Sequence, residues 1–133
     1  MVPSLPALRR LLSRLHLWTG LSVGLLFALL GLSGAILVFH TPLLVWQHPK
    51  LGAHQAVANG EVLGAIMQRE AANGLRSLDF PRDELPVWQG YFEDESRRYF
   101  SPEDGRLLLK RTIDDDALLW LHEFHVELLG GET

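Results

Sequence analysis

The chain has 133 residues, enough for one membrane span and one small domain of about 90 residues but no second large domain. Its formal net charge of -4 averages two regions, because all 16 acidic residues lie after position 60 and the first 60 residues carry only basic groups. An acidic domain argues against nucleic acid as a partner, since phosphates require a basic face. The absence of cysteine excludes disulfides, iron–sulfur clusters and thiolate zinc sites.

The first element is an apolar run from Leu17 to Phe39, inside the stretch 15–49 that has no Asp, Glu, Lys or Arg. A helix of these 23 residues rises about 35 Å, against about 30 Å for the hydrocarbon core of a bilayer. The run therefore predicts a transmembrane helix over residues 15–41. A cleaved signal peptide is the alternative, but signal cores run to roughly 15 residues, which favours an uncleaved anchor.

Charge asymmetry predicts the orientation of this helix. Three arginines precede the apolar run, and only Lys50 follows closely, so the positive-inside rule places residues 1–14 in the cytoplasm and the residues after about 42 outside. In a bacterium that outside is the periplasm, and the membrane is the inner membrane. Gly20 and Gly24 form a GxxxG pair, which favours packing against other membrane helices or a second copy, although glycine is common in membrane helices generally.

Residues 42–112 predict a small exterior domain. Asn59-Gly60 is typical of a cap for a helix over 61–72, and Asn73-Gly74 is typical of its end. Four extended segments follow, separated by turn clusters at 93–96 and 101–105: Leu75 to Phe80, Val87 to Phe92, Arg97 to Phe100 and Arg106 to Arg111. A helix covering a small antiparallel sheet results, and the whole chain is predicted to be α+β. Nothing here assembles a nucleophile, a base and an oxyanion donor, which favours binding over catalysis.

The last element predicted is an amphipathic helix within residues 113–133. Asp114, Asp115 and Asp116 open it, and Gly130-Gly131 ends it. Its apolar stripe carries two histidines: Leu118, Leu121, His122, His125, Leu128 and Leu129. Because the helix is too short to span, we expect it to lie at the outer membrane interface.

Four histidines, His16, His40, His122 and His125, bear on chemistry, because histidine ligates haem iron and many divalent metals. His16 and His40 are 24 residues apart, about 36 Å along a helix, so they cannot share one iron. His122 and His125 lie on one side of one helix, with β-carbons about 5 to 6 Å apart, and cannot straddle a porphyrin. A bis-histidine haem therefore requires a second helix.

Several assignments of these histidines stay open. On the outer side His40 is a partner for His122 or His125, whereas His16 finds no second ligand in the chain. Hydrogen bonding to lipid headgroups or water is the simplest alternative for interfacial histidines. A zinc or copper site from His122, His125 and a carboxylate is another, although no full ligand set has a familiar spacing.

Three segments carry a resemblance to a known family. Residues 15–21 (LHLWTGL) with 31–39 (GLSGAILVF), and residues 121–130 (LHEFHVELLG), resemble the first membrane helix and the stretch before the second membrane helix of the PepSY-associated transmembrane proteins. These are often called iron-regulated or siderophore-uptake membrane proteins. Residues 100–108 (FSPEDGRLL) resemble the family's Asp-Pro-x-Thr-Gly-x-hydrophobic hairpin, with Ser101 and Asp104 in place of its Asp and Thr.

The resemblance implies an inner-membrane protein with a periplasmic PepSY-like domain. Some members bind b-type haem through membrane histidines and pass electrons across the membrane to reduce ferric siderophores. By motif position His16 and His125 are the haem ligands and His122 comes next, while His40 has no fixed counterpart. Relatives continue into further membrane helices after the position of Thr133, so we do not expect this chain alone to be catalytic. The alternative function is an anchored module that binds or inhibits a partner, as PepSY domains do in some protease precursors.

Overall fold

The long first helix is the main membrane element of the fold. The computed structural model describes residues 4–128 and 130, and helix α1 covers Leu5–Val38. Its length and composition suffice to cross a membrane. Almost all of its side chains are exposed, with Ser33 as the one buried residue, so lipid is the natural environment of the helix. The helix begins ten residues before the predicted span and ends three residues before its predicted end.

A short helix that the sequence analysis did not predict follows α1. The helical conformation is interrupted at Phe39. Helix α2 covers His40–Gln47, and a 3-10 helix covers Pro49–Gly52. Pro42 lies in the first turn of α2, where a missing N–H removes no helical hydrogen bond. Leu44 and Leu51 are buried. These two short helices connect the membrane helix to the exterior domain.

The helix predicted over residues 61–72 is confirmed as α3, Gly60–Glu70, extended by a 3-10 turn over Ala71–Asn73. The Asn59 side chain accepts a hydrogen bond of 2.9 Å from the backbone N–H of Glu61, which is an N-cap contact. Gly74 adopts a left-handed conformation with φ of 85° and ends the helical segment.

The predicted antiparallel sheet is also confirmed. Its strands are β1 Leu75–Asp79, β2 Trp88–Phe92, β3 Arg97–Phe100 and β4 Leu107–Arg111, and they pair in chain order. Both faces of the sheet are covered. Helix α3 packs on one face in a cluster of Val62, Ile66, Trp88, Phe92 and Phe100. The region after α1 covers the other face in a cluster of Leu44, Leu51, Leu85, Val87 and Tyr99.

The final helix, α4, covers Ala117–Leu128 and packs against α1. The Oδ1 atom of Asp116 accepts hydrogen bonds from the backbone N–H groups of Leu118 and Leu119, so this acid caps the helix as the sequence indicated. Trp120 and Phe124 stack on its exposed side, with ring centroids 5.4 Å apart. Leu129 and Gly131 lie outside the described residues. The α+β class is confirmed, while the interfacial position of α4 stays a prediction.

Candidate functional site

Three of the four candidate histidines, His40, His122 and His125, lie at one place, which we call the junction. Here the C-terminal end of α1, helix α4 and the sheet end that carries Arg97 and Arg111 come together. His125 contacts α1, and His40, two residues beyond α1, contacts β4. The junction is therefore the part of the fold where membrane helix and exterior domain meet.

The first contact of the junction joins Ser33 of α1 to His125 of α4. The Ser33 Oγ lies 2.7 Å from Nδ1 of His125, across 92 residues of sequence. The same hydroxyl lies 2.8 Å from the carbonyl oxygen of Leu29 in its own helix. Ser33 is only 4% exposed, whereas most of the other described side chains of α1 are exposed. The contact is thus a polar link within an apolar helix pair.

These two hydrogen bonds indicate the protonation of the imidazole. A carbonyl oxygen only accepts, so when the Ser33 hydroxyl donates to Leu29 its oxygen accepts from Nδ1–H of His125. In the neutral ring this tautomer places the lone pair on Nε2. Nε2 has no hydrogen-bond partner within residues 4–128. Ligating histidines usually have one ring nitrogen held in this way by a second hydrogen bond.

Gly34 makes room for this arrangement. A β-carbon at position 34 would lie 3.0 Å from Cε1 of His125 and 3.6 Å from Nε2. Contacts as short as 3.0 Å to a ring require the ring to move, so any side chain larger than hydrogen would push His125 away from α1. Ser33 and Gly34 therefore act together: one orients the imidazole and the other lets it approach.

The second contact of the junction is a buried ionic network around Arg111, which is only 2% exposed. Its guanidinium pairs with both carboxylate oxygens of Asp116, at 2.6 and 2.8 Å, and donates to the Tyr99 hydroxyl at 2.8 Å. It also faces Nε2 of His40 at 3.4 and 3.5 Å. In this arrangement Nε2 of His40 accepts from a cation and is not directed at an iron or zinc ion.

The network shifts the titration of two of its members. Burial, followed by the positive charge of Arg111, lowers the pKa of His40 to about 4, so His40 is neutral at pH 7. Burial raises the pKa of Asp116, but hydrogen bonds from Arg111 and from backbone amides outweigh it and bring the pKa to about 2. Asp116 is therefore ionised and compensates Arg111, as a buried guanidinium requires.

The other predicted histidines lie apart from these contacts. His122 is one turn before His125 and lines a cavity between α4 and the sheet. His16 is exposed, 17 residues before Ser33 in α1, which places it about 25 Å away. The structure thus brings His40, His122 and His125 to one end of α1 and leaves His16 near the other. Within the described part of the chain no three His, Cys, Asp or Glu side chains are grouped to hold a metal ion.

Sequence reasoning missed the partners of these histidines. Ser33 stood out only as a small residue in an apolar run, and Arg111 only as the end of a strand. Asp116 was predicted to open α4, but its pairing with Arg111 was not. Ser33 lies between Gly31 and Gly34 in the apolar run, and a polar side chain beside small residues at such a position was the signal that could have indicated a polar contact.

The fold and the junction define a membrane-associated α+β protein with one candidate spanning helix among the described residues and a small sheet domain in contact with the C-terminal end of that helix. The sequence model of the PepSY-associated TM region matches residues 13–133, which is nearly the whole chain. The chain therefore belongs to the family of the PepSY-associated TM region. No curated protein and no solved structure matches it.

Proposed function

We propose that this protein is an inner-membrane component of iron or siderophore uptake that binds b-type haem at the junction and takes part in electron transfer to a ferric siderophore. The contact between Ser33 and His125 carries the proposal. It holds Nδ1 of His125 and leaves Nε2 without a hydrogen-bond partner among the described residues, beside the apolar surface of α1, and both features suit the ligation of haem iron. Family membership adds that the pairing occurs in a PepSY-associated membrane protein.

The residues of the junction fit haem on one side of the ring. His125 would supply one axial ligand through Nε2, and the apolar side chains near the end of α1 would border the porphyrin. His122 shares the helix of His125 and cannot reach the opposite axial position, while His40 faces Arg111. A second imidazole would therefore come from another membrane helix, either of a second copy or of another segment. His16 would belong to a separate site at the cytoplasmic end, completed in the same way.

When bound, haem would supply one-electron redox chemistry at a potential tuned by its ligands and their hydrogen bonds. The chain's own contribution is positional. Ser33 holds the tautomer and orientation of His125, Gly34 sets its distance from α1, and the Arg111 network holds α4 at the outer end of the membrane helix. Because imidazole basicity depends on the Nδ1–H hydrogen bond, Ser33 would also affect the potential.

The test is haem binding by the full chain purified in mild detergent with haem supplied. We expect a Soret band that His125→Ala abolishes and that Ser33→Ala weakens by about 10- to 100-fold in haem affinity. His54→Ala is the matched control, because His54 pairs with the exposed Glu103 in the exterior domain, 2.8 Å away, and its variant should keep the band. The absence of a Soret band, or a spectrum unchanged in His125→Ala, would contradict the proposal.

A second arm tests the electron acceptor. After reduction of the bound haem without oxygen, addition of a ferric hydroxamate should return the oxidised spectrum. If haem binds but stays reduced, the siderophore part of the proposal is wrong and the haem part survives. A protein that binds no haem yet retains a periplasmic protein partner would instead be the anchored module.

A further inference from the structure

A cavity of about 250 Å³ lies between helix α4 and the face of the sheet that also carries the Arg111 network. It is small for a ligand pocket, since such pockets usually run from about 300 to 1,000 Å³, and it suits a headgroup-sized molecule. The lining mixes charges of both signs with an aromatic ring: Arg76, Tyr91, Arg97, Glu95, His122 and Glu123. We call it the headgroup cavity.

Arg97 lacks a compensating carboxylate among the described residues of this region. Arg97 on β3 lies directly opposite Arg111 on β4 in the strand register. Two like charges at opposed positions destabilise a sheet. Asp116 neutralises Arg111, but within residues 4–128 no carboxylate lies within 4 Å of Arg97. The Arg97 guanidinium instead lies over the Tyr91 ring, 5.4 Å from its centroid. An anion in the cavity would supply the missing counter-charge.

The acidic lining residues narrow the choice of ligand. Glu95 and Glu123 border the same space, so a purely anionic ligand would meet them as well as the arginines. A molecule with a phosphate and an ammonium group separated by a short linker would complement both the two arginines and the two glutamates of the lining. The phosphate oxygens suit guanidinium donors, and the ammonium suits carboxylate acceptors.

The depth of the cavity matches the surface of a bilayer. His125 is level with Ser33, five residues before the end of α1 at Val38, which is about 7.5 Å of helix. His122, on the cavity wall, lies three residues before His125 in α4. It is therefore about 4.5 Å closer to the sheet domain than His125 is. The floor of the cavity therefore lies near the end of the apolar run, at the level of lipid headgroups.

We propose that the headgroup cavity binds a phosphoethanolamine group, with its phosphate against Arg97 and Arg76 and its ammonium towards Glu95 and Glu123. The group comes either from phosphatidylethanolamine in the outer leaflet or from a soluble phosphate ester, and both present the same chemistry. The proposal requires the membrane span but is independent of haem, because none of these four residues is assigned to a haem site.

Native mass spectrometry of the delipidated full chain in detergent tests the proposal. The probes are short-chain phosphatidylethanolamine, phosphatidylcholine and phosphatidylglycerol, together with glycerophosphoethanolamine. We expect phosphatidylethanolamine to be retained about tenfold better than the other two lipids, and Arg97→Gln to remove that preference. Glu123→Gln should shift retention towards phosphatidylglycerol. Strong retention of glycerophosphoethanolamine would identify the soluble ester as the source, and its loss in washing would identify the lipid.

Arg106→Gln is the matched control, since Arg106 carries the same charge, is exposed and lies at the opposite end of β4. Equal retention of the three lipids, or equal effects of Arg97→Gln and Arg106→Gln, would overturn the proposal. The melting temperature of each variant without lipid checks that the variant is folded. We expect Arg97→Gln to match or exceed the parent chain, because it removes the opposed pair of positive charges. If it melts lower, Arg97→Lys must retain phosphatidylethanolamine to within a few-fold, and failure of that variant also overturns the proposal.

Discussion

The two halves of α1 present opposite situations in one continuous helix. Towards its start, side chains are exposed on every side, and a β-carbon at Gly20 or Gly24 would contact nothing within 4 Å. Towards its end, Ser33 and Gly34 receive His125. The C-terminal half of α1 thus receives α4 at Ser33 and Gly34, although most side chains in both halves are exposed. The difference teaches that packing against α4 and the sheet domain positions His40, His122 and His125, while His16 lies too far along α1 to be positioned in this way.

The largest expected effect comes from breaking the ionic network around Arg111 at the junction. Asp116→Ala leaves the buried Arg111 guanidinium without its counter-charge and should lower the free energy of unfolding by about 3–5 kcal/mol. Urea unfolding followed by Trp fluorescence in detergent measures this loss. Asp115→Ala is the control, because Asp115 is exposed and accepts only from Thr112, so its variant should stay within about 0.5 kcal/mol of the parent. Equal losses in the two variants would contradict the role of the network.

A smaller effect is expected at the glycine beside His125. Gly34→Ala places a methyl group 3.0 Å from Cε1 of the imidazole and should destabilise the chain by about 1–3 kcal/mol. Gly31→Ala meets nothing within 4 Å and should stabilise the helix by up to about 1 kcal/mol. Thermal unfolding in detergent, with NMR of the histidine rings, measures both. The opposite signs are the test, and a loss in both variants would count against the close packing of α1 on α4.

The pH dependence of stability should report on His40. Its pKa is lowered to about 4 in the folded chain from 6.5 in the unfolded chain, so between these values the unfolded state binds more protons. The contribution of neutral His40 to the free energy of unfolding is therefore complete above pH 6.5. It should be lost as the pH drops from 6.5 towards 4. His40→Gln should flatten the fall, whereas His48→Gln, which lies outside the network, should keep it. An unchanged profile in His40→Gln would exclude this histidine as the source.

No loss of stability is expected in the N-terminal half of α1. Gly24→Leu should leave the free energy of unfolding unchanged or raise it by up to about 1 kcal/mol, because no described side chain lies near it and leucine favours a helix more than glycine does. Chemical crosslinking in membranes then asks whether this half binds another helix. Reduced association would support packing through Gly20 and Gly24, and unaltered association would remove that prediction.

Local signals in the sequence were sufficient for most of the fold. The apolar run predicted α1, Asn59 and Gly74 predicted the limits of α3, and the turn clusters after Phe92 and Phe100 predicted the hairpins. Each of these depends on residues close together in the chain. Helix α2 was missed because no element was predicted between the membrane span and Asn59, although Pro42 is tolerated in a first helical turn.

The contacts that build the junction could not be predicted in this way. Ser33 and His125 are 92 residues apart, and His40 and Arg111 are 71 apart, so no periodicity or spacing connects them. The histidines themselves were identified as candidates, but their hydrogen-bond partners decide which nitrogen is available. That choice depends on the packing of α1, α4 and the sheet, which is a property of the folded chain.

The close approach at Gly34 also sets where α4 contacts α1. The His125 ring lies 3.0 Å from the position of a β-carbon at residue 34, so a residue with a side chain there would displace the ring. Five residues lie between Gly34 and His40, which is six residue steps or about 9 Å along a helix, and they act as a spacer between the two contacts of the junction. Inserting one residue there would turn His40 by about 100° away from Arg111, so the spacer tolerates neither gain nor loss.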